Sequence, residues 1–178
     1  MFIGEAPPPQ AKHVKKRDQL NFFYNPKRCN NLRESLKELL SEAGFEEFVC
    51  LPDEEFLHAF RDKGFYLTDA IKCPRRFYSP SEKKKFLRIY RKSLLDEIRE
   101  LEPEIIFVLG WVALHAIGVE ESVTSLHGSI INPREINVDL PESVKYIIVS
   151  MYPNQRNRGR VEDMHMLEPY KKLRNLVT

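Results

Sequence analysis

The sequence has no long apolar run. Its best, residues 105–109, is five residues, far short of the ~18 that a membrane-spanning helix needs. The chain opens Met-Phe-Ile-Gly with no basic leader before an apolar stretch. No signal peptide and no membrane partner are therefore expected, and the expected location is cytoplasmic. Cysteine is scarce: Cys29, Cys50 and Cys73 stand far apart, with no Cys-x-x-Cys pair. An odd number of thiols without a secretory signal argues against a disulfide framework. Three thiols also cannot supply the usual four-cysteine ligation of an iron–sulfur cluster. His13, His58, His115 and His165 lack ligand-like spacing, so no metal site is expected. Net charge is small, 28 Lys and Arg against 26 Asp and Glu, and its average points to no partner. Internal repeats and low-complexity tracts are absent too.

What is present is an ordinary globular composition, 42% hydrophobic and 30% charged. The length, 178 residues, suits one domain with a core that needs no staples. The distribution of charge says more than its sum. Basic residues cluster at Lys12, Lys15, Lys16 and Arg17, at Lys72, Arg75 and Arg76, at Lys83 to Lys85, and at Arg156, Arg158 and Arg160. Acidic residues concentrate in 46–55 and 96–104. This asymmetry permits a phosphate-facing side, although each cluster also reads as a solvated face.

Residues 1–5 form a candidate buried strand that stops at Pro7-Pro8-Pro9, because three prolines continue neither a ladder nor a helix. A loop of ~20 residues, 10–30, follows and carries Phe22-Phe23-Tyr24; such a loop in a small domain is more often functional or mobile than filler. Asn30 or Asn31 can cap a helix over 32–43, with Leu32, Leu36, Leu39 and Leu40 on one face and Gly44 ending it. A second helix over 52–63 ends at Gly64. Residues 65–72 read as a strand, and Ser79 or Ser81 opens a long helix to about 101. The apolar positions of that helix are Phe86, Ile89, Tyr90, Leu94 and Ile98. A strand over 104–109, purely apolar within 105–109, leads through Gly110 into a helix over 111–117. A strand over 146–150 and a helix over 163–176 complete the chain, and 129–143 reads as hairpin or loop. Strands alternating with helices predict an α/β fold, mainly parallel with right-handed crossovers.

Ligands of an open α/β sheet bind beyond the carboxyl ends of its strands. That rule selects Gly4-Glu5-Ala6-Pro7, Thr68-Asp69-Ala70 with Lys72-Cys73-Pro74, Leu109-Gly110-Trp111, and Met151-Tyr152-Pro153-Asn154. Two carboxylates, several prolines and three arginines converge on one rim, which suits an anionic or heteroaromatic ligand.

The same segments carry a resemblance. Phe2-Ile3-Gly4-Glu5-Ala6-Pro7 is similar to the first motif of the uracil-DNA glycosylase superfamily, closest to its thermophilic iron–sulfur branch. The run Tyr66-Leu67-Thr68-Asp69-Ala70-Ile71-Lys72-Cys73-Pro74 resembles the second motif. The run from Pro103 to Gly110, followed by Ala113, resembles the third-strand signature. Leu126-His127-Gly128 matches a short basic-Gly element. Tyr152-Pro153-Asn154, with Asn157 and Gly159-Arg160, resembles the His-Pro-Ser loop that enters the DNA minor groove.

This resemblance implies a three-layer α/β/α sandwich with a four-stranded parallel sheet, and a pocket for a base flipped out of DNA. It assigns Glu5 as the catalytic carboxylate and Ala6, Pro7, Phe23, Asp69, Tyr152 and Asn154 to the base. To DNA it assigns Lys72, Arg75, His127, Gly128, Arg156, Asn157 and Arg158. The partner implied is DNA, single- or double-stranded, bound by a monomer. The departures are Pro8 where relatives have glycine, Tyr152 where they have histidine, and Asp69 where they have asparagine. The cysteine pair of the iron–sulfur branch is missing, so no cofactor is expected. An ionised Asp69 offers only acceptors, which favours an exocyclic amine such as that of cytosine or adenine unless the carboxyl is protonated. The function implied is hydrolysis of the N-glycosidic bond of a damaged or deaminated base. The alternatives are a non-catalytic DNA- or nucleotide-binding member of the same fold, and an enzyme acting on free nucleosides.

Overall fold

The computed structural model describes residues 1–9, 21–74, 79–136, 138–154 and 163–177. Five strands form one sheet in the order β2-β1-β3-β5-β4. These are β1 (Phe2–Gly4), β2 (Leu67–Asp69), β3 (Ile105–Leu109), β4 (Ile130–Ile131) and β5 (Tyr146–Ser150). The first three and β5 run parallel, and β4 lies antiparallel to β5 at one edge. The expectation of four parallel strands is thus corrected to five, mostly parallel. The additional strand comes from the stretch read as hairpin or loop. Its two residues gain their identity only by pairing Ile130 with Ile148 and Ile131 with Ile147.

Helices cover both faces, because alternate residues of each parallel strand point to opposite sides and both sides are apolar. Phe2, Leu67, Phe107 and Ile148 face α1 (Asn31–Glu42), α2 (Asp53–Asp62) and α6 (Asp163–Val177). Ile3, Ile106, Val108, Ile147 and Val149 face α3 (Pro80–Leu101) and α4 (Trp111–Ala116). A one-turn helix α5 (Val123–Leu126) precedes β4. The first side is unusually aromatic: the ring of Phe2 lies 4.9 Å from that of Phe107 and 5.4 Å from that of Phe60.

The helix ends follow the sequence signals. The Asn30 side chain accepts from the Arg33 N–H, and the Ser79 hydroxyl accepts from the Glu82 N–H. On α3 the buried stripe is Leu87, Leu94 and Ile98, whereas Ile89 is 58% exposed. Ile89 stands two residues from Leu87, about 200° around a helix of 3.6 residues per turn, so it falls on the outer face. No helix among the described residues is long and apolar enough to cross a membrane.

Candidate functional site

The parallel ladder of β1 and β2 continues past both strands. The Ala70 N–H donates to the Gly4 carbonyl and the Ile71 N–H to the Glu5 carbonyl, tying the two following loops together. Gly4 and Asp69 are register partners. A Cβ added to Gly4 would lie 2.6 Å from Asp69 Oδ1, so only glycine lets this carboxyl rest against the neighbouring backbone. Asp69 points to the aromatic side of the sheet, as Leu67 does, while Thr68 between them points to α3.

At that end of the sheet a cavity of about 720 Å³ opens between the strand ends, the segment 21–30 and the start of α1. Ala6, Phe22, Phe23, Asp69, Tyr152 and Asn154 line it, together with Asn31, Glu34 and Glu38 of α1. The segment 21–30 is held by a buried cation. Arg33 is 0% exposed and donates from Nη1 to the carbonyls of Phe23 (2.7 Å) and Asn25 (3.1 Å). Its Nη2 donates to the Arg28 carbonyl and pairs with Asp53 at 2.5 Å. Burial works to raise the Asp53 carboxyl, but hydrogen bonds from Lys37 and Arg33 and the charge of Arg33 prevail and hold it at about 2. Tyr24 fastens the same segment to β2: its hydroxyl accepts from the Leu67 N–H and donates to the Leu67 carbonyl.

Asp69 is largely enclosed and has no hydrogen-bond partner among the described residues. Burial pushes its carboxyl up to about 7; Lys72 opposes the rise, and Glu5 and Glu97 add to it. Tyr152 lines the cavity, packed on the chain where Gly110 adopts φ 88°. A Cβ at Gly110 would lie 3.3 Å from that of Tyr152. Burial, with the nearby carboxylates of Asp69 and Glu5, pushes the Tyr152 phenol up to about 12, so it stays a neutral hydroxyl at any working pH.

The structure separates other residues that the sequence grouped. Glu5 follows β1 on the α3 side and pairs with Lys83 at 2.6 Å, and the Lys83 ammonium lies 5.8 Å from the centre of the Trp111 ring. Ala6 reaches the cavity lining; Glu5 and Pro7 stay off it. Lys72 also lies on the α3 side, where its ammonium bonds Thr68 and Glu97, each at 2.5 Å, in a separate shallow groove. Phe23 reaches the cavity but is 5% exposed and packs 5.4 Å from Phe60, so Phe22 is the freer ring. His127 is bonded at both nitrogens: Nδ1 accepts from the Met151 N–H and Nε2 donates to the His165 carbonyl. Burial lowers its pKa, against the hydrogen bond to the His165 carbonyl. It latches the end of β5 to α6. Gly128 beside it, at φ 80°, accepts from Lys172. Arg75, Arg156, Asn157 and Arg158 lie outside the described residues. Sequence reading missed Lys83 as the partner of Glu5. It also missed Arg33, although position 33 falls on the helical stripe of Leu36 and Leu40.

A comparison with protein families matches residues 1–174 to the model described as the uracil DNA glycosylase superfamily. No curated protein sequence matches the chain.

Proposed function

The chain belongs to the uracil-DNA glycosylase superfamily, and on that premise we propose that it hydrolyses the N-glycosidic bond of a damaged or deaminated base turned out of DNA into the cavity beside Asp69. The observation that carries this reading is the cavity itself. It stands at the carboxyl ends of β1, β2 and β5, has a volume typical of a ligand pocket, and joins apolar walls to a few polar groups. Two of the basic clusters adjoin it in sequence. Pro8 and Asn21, which flank 10–20, are on the lining, as is Asn154, which precedes 155–162. Lys12, Lys15, Lys16, Arg17, Arg156 and Arg158, in those segments, are the proposed contacts to the phosphates of the bound strand.

In the proposed reaction water attacks C1′ of the sugar as the C1′–N bond breaks, and the base leaves with the bonding electrons. Glu5 precedes Ala6 of the cavity wall, and on release from Lys83 it is the proposed catalytic carboxylate. It orients that water, takes its proton and offsets positive charge on the sugar. The neutral Tyr152 hydroxyl donates to a carbonyl of the departing base. Glu5→Ala is expected to lower single-turnover base release at least ~100-fold while leaving DNA affinity within about threefold.

A second reading is DNA binding without catalysis. It is favoured by one contact: the Lys83 ammonium engages Glu5 and draws it off the cavity lining. Salt-sensitive DNA binding with no base release from wild type would establish that reading instead. Salt-independent turnover of free nucleosides would put the substrate outside DNA.

A further inference from the structure

His127 stands between two backbone groups that the secondary structure leaves over. Helix α6 carries a proline inside it, Pro169. Proline has no N–H, so the carbonyl four residues earlier, that of His165, lacks its helical donor. The His127 Nε2 meets that carbonyl at 3.0 Å. On the other side, the Met151 N–H is the first beyond β5, and His127 Nδ1 receives it at 3.1 Å. A backbone N–H can only donate, so Nδ1 is bare and the ring proton sits on Nε2. The two contacts fix one tautomer of the neutral ring and leave neither nitrogen for a DNA phosphate. The ring is carried on a firm base: next to it the Gly128 N–H donates to the Val149 carbonyl, and the Val149 N–H to the Ser129 carbonyl. Met151 opens the stretch 151–154, of which Tyr152, Pro153 and Asn154 line the cavity.

We propose that His127 is a positioning residue of the cavity: its neutral ring holds the 151–154 stretch in place, and proton uptake at Nδ1 releases that stretch and weakens the grip on an everted base. This rests on the reading of the cavity as a base pocket. A protonated Nδ1 carries a hydrogen aimed at the Met151 N–H. Two donors cannot share one contact, so the ring or the backbone must turn away. The charged and titratable groups around the ring come chiefly from α6. They are the His165 ring, Glu168, whose Cβ would lie 3.8 Å from one added at Gly128, and Lys172, which bonds the Gly128 carbonyl at 2.6 Å. The residue after Met151 adds the Tyr152 phenol, and α5 and the end of β5 add none. Burial and the nearby His165 set proton uptake below the ordinary 6.5, against the bond to the His165 carbonyl. The stretch is therefore held at neutral pH and released in acid.

The test is fluorescence anisotropy between pH 4.5 and 8 on oligonucleotides carrying 2′-fluorinated deoxyuridine or deoxyinosine, whose glycosidic bonds resist cleavage. An oligonucleotide with a tetrahydrofuran abasic site provides the reference. In wild type the preference for the base over the abasic site is expected to fall at least ~10-fold on acidification. His127→Asn keeps an acceptor near the place of Nδ1 and does not titrate. Its preference is expected to be level with pH and within about threefold of wild type at pH 8. His127→Gln keeps a donor near the place of Nε2 without the acceptor, and its preference is expected to be weak at every pH. A level wild-type preference, the same fall in His127→Asn, or a His127→Gln preference equal to that of wild type would overturn the proposal. Should a variant not fold, ¹⁵N NMR on wild type decides: the His127 ring and the Met151 amide must titrate with the midpoint of the preference, and separate midpoints overturn it. Base release without such a profile would leave the glycosylase reading intact and sink this one. Equal binding of all three oligonucleotides at every pH would refute the base pocket and the proposal together.

Discussion

Arg33 and Asp69 are charged side chains placed where water is scarce, and the protein treats them oppositely. Arg33 keeps its charge because Asp53 and three carbonyls meet it. Asp69 meets only more negative charge and a committed lysine, so its neutral form is favoured. The consequence for stability has a definite sign. The folded value of about 7 lies above the ordinary 3.8, so between those limits the folded chain keeps a proton that the unfolded chain has released. Stability therefore falls as pH rises from about 4 to about 7 and is level above. An asparagine side chain at this position does not ionise and would carry no such penalty. In thermal unfolding, Asp69→Asn is expected to melt above wild type at pH 8, with the gap closing by pH 4. A gap of equal size at both pH values would contradict the buried neutral carboxyl.

At the level of elements, most of the architecture was readable because it rests on local signals. Asn30 and Ser79 cap the helices for which the sequence marks them, and the apolar run 105–109 is the central strand β3. The antiparallel β4 was not readable, since two residues have no pattern of their own and exist as a strand only against β5. The buried face of α3 was readable in part: Leu94 and Ile98 obey the period, whereas Ile89 is an apolar residue on the wet side. Chemical denaturation should separate them. Leu94→Ala is expected to cost about 2–5 kcal/mol, and Ile89→Lys less than about 0.5 kcal/mol. Comparable losses for the two would mean that the outer face of α3 is covered by something else. The site divides along the same lines. Asp69 and Tyr152 lie on the cavity, as the strand-end rule predicts. Glu5 and Lys72 lie beyond the ends of β1 and β2, and both turn to α3, Glu5 on the same side as Ile3 two residues before it. The two bonds of His127 join residues distant in sequence, and nothing local announces them.

For the molecule as a whole, a net charge of +2 conceals the separation that matters. Glu34 and Glu38 of α1 line the cavity, as do Pro8, Asn21 and Asn154, which stand near or next to the basic segments in sequence. If those segments hold phosphates, the logarithm of the DNA association constant should fall linearly with that of salt concentration. Arg156→Ala and Arg158→Ala should each make the slope shallower by about one. An unchanged slope would remove these arginines from the interface. The measurement that bears most directly on the central claim is base release in ¹⁸O-labelled water. The wild-type protein would be taken in excess over oligonucleotides containing uracil, hypoxanthine, xanthine or cytosine, with products identified by mass. Hydrolysis in the cavity predicts a free base and an abasic sugar with one labelled oxygen at C1′, both lost in Glu5→Ala. Intact oligonucleotides, bound in a salt-sensitive manner but never cleaved, would contradict it and leave a DNA-binding protein built on a glycosylase fold.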